Sequence, residues 1–113
     1  MTIEELDIGE LTYWFGRVVL KKDLEIKKNS IFYKNTENLF HIDNGLLWDL
    51  IEKENIEISR SFMLNRVVAA KTIFEFGNLT KKVCTGGSLG KTAKEAVMKC
   101  LIKIKLGKDE VPN

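Results

Sequence analysis

The sequence predicts an α+β fold in which an antiparallel sheet of three strands, or slightly more, carries helices on both faces: an α/β/α sandwich. Three observations predict it. Apolar residues follow the helical period at both ends of the chain and once in the middle, whereas residues 56–85 follow the two-residue period of strands. Those strands are consecutive and separated by turn residues, which favours antiparallel pairing. One of them is apolar on both sides, so both faces of its sheet need cover.

Leu11, Trp14, Phe15 and Val18 fall at i, i+3, i+4 and i+7, one face of a helix predicted over residues 9–22, with Gly9 at its start. Thr2 and Glu5 have capping-box spacing, which leaves an earlier start open. Between residues 23 and 42, IFYKN and NLFHI read as short extended pieces between polar turns. A second helix follows: Asp43 or Asn44 can cap it, Leu47, Leu50 and Ile51 share one face, and Asn55 can stop it. Trp48, between Leu47 and Ile51, reads as core or edge packing.

The period then changes. Ile56, Ile58, Phe62 and Leu64 alternate with other residues in a first strand, Asn65 and Arg66 mark a turn, and VVAAKTIFEF is a second strand. In it Val68, Ala70, Phe74 and Phe76 point one way and Val67, Ala69 and Ile73 the other. Gly77-Asn78 is a two-residue hairpin connection into a third strand near residues 79–85. The last helix begins at Thr92, whose oxygen can accept from the amide of Glu95 while Glu95 reaches back. Its buried stripe is Ala93, Ala96, Val97, Cys100, Leu101 and Ile104, and Gly107 is placed to end it. Lys94, Lys99, Lys103 and Lys105 lie off that stripe, on a face expected to be solvated.

The stretch GGSLGKT at residues 86–92 invites comparison with a nucleotide-binding phosphate loop. That loop needs glycine five residues before the second glycine, because its length sets how backbone amides wrap the phosphates. Five residues before Gly90 stands Thr85. The stretch therefore reads as a flexible entry to a capped helix, with Lys91 near the helix amino end.

The 113 residues suit a single domain over 1–113, with an ordered core at about 3–106 and a tail at 107–113. The acidic start MTIEELDIGE is unlike a signal peptide, and no apolar run approaches the roughly 18 residues of a membrane span. A cytoplasmic protein without membrane contact is expected. Cys84 and Cys100 lack zinc-ligand spacing and read as small buried hydrophobes. His41 and Asp43 can pair, yet no nucleophile accompanies them, and no triad or paired-carboxylate motif nominates an enzyme or a cofactor. Charge is unevenly distributed. Residues 1–60 hold eight Lys/Arg against twelve Asp/Glu, and residues 61–113 hold ten against four, so the C-terminal half is the basic one.

Two resemblances follow. From Asp43 to Leu106 the order helix, three strands, helix resembles a double-stranded-RNA-binding domain, in which lysines at the amino end of the final helix meet phosphates; Lys91 and Lys94 match those places. Over nearly the whole chain, GELTYWFGRVVL, IDNGLLWDLIEK with its central Trp48, and GKTAKEAVMKCLIKI resemble the helices of the small phage proteins with an ABA-sandwich domain. That resemblance implies an α/β/α fold and phage or prophage origin. It implies no activity.

The first functional expectation is accordingly a small non-enzymatic phage protein that binds a host protein or complex, as an inhibitor of a bacterial defence system such as CRISPR would. The second is a nucleic-acid-binding module using Lys81, Lys82, Lys91 and Lys94. A third, a sponge for a small nucleotide signal, has only residues 86–91 as a contact.

Overall fold

The computed structural model describes residues 1–61, 66–71, 73–75, 78–80 and 88–112. A 3₁₀ turn, Ile3–Glu5, precedes helix α1 (Ile8–Val18) and the strands β1 (Leu24–Lys27) and β2 (Ser30–Tyr33). Helix α2 (Asn44–Lys53) follows, then β3 (Ile56–Ser61), β4 (Arg66–Lys71), β5 (Ile73–Glu75), β6 (Asn78–Thr80), β7 (Ser88–Gly90) and helix α3 (Ala93–Leu106). The α+β class is as expected. The strands form two antiparallel hairpins, β1-β2 and β5-β6, and an antiparallel set in the order β3-β4-β7.

Local chemistry sets the helix ends. Asp7 caps α1 by accepting from the amide of Glu10 at 2.8 Å, and the Glu10 carboxylate accepts from the amide of Asp7. The helix thus begins one residue before Gly9 and ends four before residue 22, where Lys21 takes a left-handed backbone (φ 55). Thr2 and Glu5 do form a capping box, on the 3₁₀ turn. Asp43 caps α2, and Asn55 stops it with φ 54. Thr92 caps α3 by accepting from Glu95, whose carboxylate accepts from the amide of Lys91 rather than from that of Thr92. Gly107 ends the helix at φ 70.

The burial of α3 departs from the expected single stripe. Residues 96–103 are all buried, while Ala93 is exposed and Ile104 half-buried. The helix is central: α1 packs along it on one side and β4 and β7 along the other. Lys99 and Lys103, expected on a solvated face, are only 8% and 4% exposed. Both reach the N-terminal 3₁₀ turn, Lys103 Nζ bonding Glu4 Oε1 and Lys99 Nζ lying 3.3 Å from Glu4 O and 3.7 Å from Glu4 Oε2. Backbone bonds join the ends of the chain, Ile3 N to Asp109 O and Val111 N to Met1 O. Val111, in the segment read as a tail, belongs to the core.

The sheet also differs from expectation in its details. Within the stretch read as one strand, residues 67–76, β4 pairs with β3 and β7, and β5 pairs with β6; Thr72 and Phe76 lie outside the described residues. Ser88–Gly90, inside GGSLGKT, pairs with β4 in the main sheet; of the third strand expected near residues 79–85, Leu79 and Thr80 lie in β6, and residues 81–85 lie outside the described residues. Asn78 pairs with Glu75, so it belongs to a strand and not to the connection; Gly77 lies outside the described residues. Register places Ile56, Ile58, Val67 and Ala69 on the face toward α3, and Glu57, Ser59, Val68 and Ala70 on the other. Glu57 and Ser59 are exposed, and among the described residues no helix covers that second face.

The β1-β2 hairpin turns through Lys28 (φ 50) and Asn29 (φ 63), both left-handed as a type I′ turn requires. Gly16 lets it close on α1, since a methyl group there would run into Leu24 and Phe40.

Glu54 ties three elements together. Its carboxylate accepts from Lys71 Nζ of β4 at 2.8 Å and lies 3.6 Å from Lys105 Nζ of α3. The Lys71 hydrogen bond is the main cause holding its carboxyl below the ordinary carboxylate range, against the opposing effect of burial. Because the folded value lies below the unfolded one, this group's contribution is complete above about pH 4.3 and is lost as pH falls through the folded value. Thermal melts from pH 7 down to pH 3 are expected to show a shallower acid loss for Glu54→Gln than for the parent; equal slopes would refute that assignment.

Candidate functional site

The four lysines expected to meet an anionic partner do not form one described patch. Lys81 and Lys82 lie outside the described residues, as does Cys84. Lys91 and Lys94, both exposed, face different cavities. Lys91 lines a cavity of about 330 Å³ with Arg66 and Lys99, but Glu4, Asp7 and Glu95 line it too. Among the described residues, three acids against three bases leave this cavity wall without a net positive charge.

Lys94 stands at the rim of a different kind of cleft. Leu47, Trp48 and Ile51 of α2, Ile58 of β3, and Ala93 and Val97 of α3 line it, with Asn44 at one end. Its wall follows from helix spacing: residues 44, 47, 48 and 51 lie on one side of α2. Leu47 and Val97 are buried at the base, and Ile58 is exposed at the side. Trp48 is 62% exposed, which corrects the expectation of a packed tryptophan. Leu46, two residues earlier and outside the cleft lining, is exposed as well. The cleft holds about 210 Å³. An apolar cavity of about 150 Å³ is enough to take benzene, so this one has room for an aromatic or branched aliphatic side chain.

Chemically the cleft offers burial and little else. Among the described residues, Lys94 and Asn44 are its only strongly polar side chains, and no carboxylate, histidine or hydroxyl lines it. His41 is exposed, and the Asp43 carboxylate beside it is committed to the amide of Gly45 at 3.0 Å. Among the described residues no group of three His, Cys, Asp or Glu side chains is placed to hold a metal ion. Cys100 is buried in the core, as a small hydrophobe would be. Residues 86 and 87 of the glycine-rich stretch lie outside the described residues, and residues 88–90 are strand β7.

Sequence reasoning named Trp48 but assigned it to packing. The overlooked signal was the companion spacing of Asn44, Leu47, Trp48 and Ile51, a helix side wider than the single buried residue Leu47 can account for. No family model, curated protein or solved structure matches the chain.

Proposed function

We propose that this is a small non-enzymatic protein of the phage ABA-sandwich kind that binds a host protein or protein complex, with the Trp48 cleft as its docking site. The single observation carrying the docking site is an exposed tryptophan beside an apolar cleft large enough for one partner side chain. Tryptophan is enriched among residues that dominate binding energy, and such residues act beside pockets that exclude water. Phage origin and antagonism of a defence system such as CRISPR rest on the resemblance of the helical segments. Host cytoplasm is the matching location, and no described helix is long and apolar enough to cross a membrane.

The test is affinity capture from a bacterial lysate with and without nuclease, using the parent and Trp48→Ala. One protein complex recovered in both conditions, and weakened at least about tenfold by Trp48→Ala, is the expected result. Because the indole is mostly exposed, the variant's melting temperature should stay within about 2 °C of the parent's. Undiminished capture by Trp48→Ala would remove the cleft from the proposal. Recovery that nuclease abolishes would favour the nucleic-acid reading through Lys91 and Lys94 instead.

A further inference from the structure

We infer that the outer edge of β1 pairs antiparallel with the same edge of a second copy of this chain. The backbone pattern identifies that edge. Lys34 N donates to Asp23 O at 2.9 Å, whereas Tyr33 N donates away from β1 to Asn38 O, and Ile31 O accepts from Phe40 N. In an antiparallel ladder the bonding residues alternate, so Glu25 and Lys27 exchange bonds with β2 while Ile26 turns its amide and carbonyl outward. Among the described residues no backbone group bonds Ile26 on that side. The other edge of the hairpin is occupied, since residues 38–40 return along β2 and bridge Leu39 to Phe32.

Ile26 is also 52% exposed, and it opens onto two clefts that separate the hairpin from α1. A free amide and carbonyl on one residue of an extended chain are complementary to another strand.

The choice of a second copy comes from the charge order of Leu24-Glu25-Ile26-Lys27. Place a two-fold axis between Ile26 and its equivalent, so that each amide donates to the other's carbonyl. Glu25 then stands opposite Lys27 of the second copy, and Lys27 opposite Glu25, while the two isoleucines meet on the face toward α1. Glu25 and Lys27 share the outer face with Phe32, and within one chain they already pair at 2.9 Å. The dimer would extend that pair into an alternating row of four charges. A lysine on an edge strand ordinarily repels its own kind. Here the two-fold axis gives each one a carboxylate.

So short an edge predicts weak association, with a dissociation constant on the order of 100 μM. Sedimentation equilibrium of the full chain between about 10 μM and 1 mM is expected to show a monomer–dimer equilibrium. Ile26→Pro deletes the outward amide without removing a bond to β2, and should weaken the dimer at least about tenfold; Ile26→Thr, which keeps the amide, should weaken it less. Glu25→Lys should weaken it about tenfold by setting lysine against lysine, and Glu25→Lys with Lys27→Glu should restore it to within about threefold. Circular dichroism checks the fold of each variant, and the charge pair decides the matter if Ile26→Pro unfolds. A chain monomeric at about 1 mM overturns the inference. So does a dimer indifferent to the folded proline variant, or one that the double exchange fails to restore.

Discussion

Glu4→Ala is expected to lower stability by about 2–4 kcal/mol, measured by urea or thermal unfolding. Lys99 and Lys103 lie in the buried stretch of α3, and the Glu4 carboxylate is shared between them. Without it, two ammonium groups keep their desolvation cost and lose a counter-charge. The Glu4 side chain is 37% exposed, which places the effect below that of a fully buried pair. Lys105→Ala is the contrasting control: Lys105 is 39% exposed and 3.6 Å from Glu54, so less than about 1 kcal/mol is expected. Were Glu4→Ala to cost no more than Lys105→Ala, the cluster would not be holding the N-terminal turn against α3. The turn also carries Ile3 and Leu6 into the core, so its release should raise amide exchange there and at Val111 together.

These lysines show where the sequence is legible and where it is not. Asp43, Thr92, Asn55 and Gly107 marked helix ends correctly, because capping chemistry is local and completes itself within one turn. The burial of α3 depends on what surrounds it, and the counter-charge for Lys103 arrives from 99 residues away. Periodicity alone therefore assigned Lys99 and Lys103 to water. The β1-β2 hairpin was missed for a different reason: its two left-handed turn positions are Lys28 and Asn29, without the glycine that advertises such turns. In the candidate site, the identity of Trp48 was legible and its exposure was not, because an apolar residue on a helix reads as core unless the neighbouring layer is known.

Gly90→Ala is expected to be the other strongly destabilising change, by about 3 kcal/mol, or a fall in melting temperature of about 10–15 °C. A methyl group at Gly90 would stand 2.7 Å from the amide nitrogen of Ala96 and 3.2 Å from its Cα. Both are backbone atoms of α3, so relief requires moving the strand or the helix and not merely a side-chain rotation. The strand has little freedom, because β7 pairs with β4 through Gly90 opposite Val67 and Leu89 opposite Val68. The helix has none nearby, because its buried stretch begins at Ala96. Gly9→Ala makes the same chemical change where only Asp7 Oδ1, at 3.4 Å, is near, and there helix propensity should leave stability unchanged or raise it by up to about 1 kcal/mol. If Gly90→Ala were as mild as Gly9→Ala, β7 would not lie against α3 as described. The glycine of GGSLGKT that resembles part of a phosphate cradle thus has a packing explanation: it is the point where the third strand of the sheet passes the central helix at backbone distance.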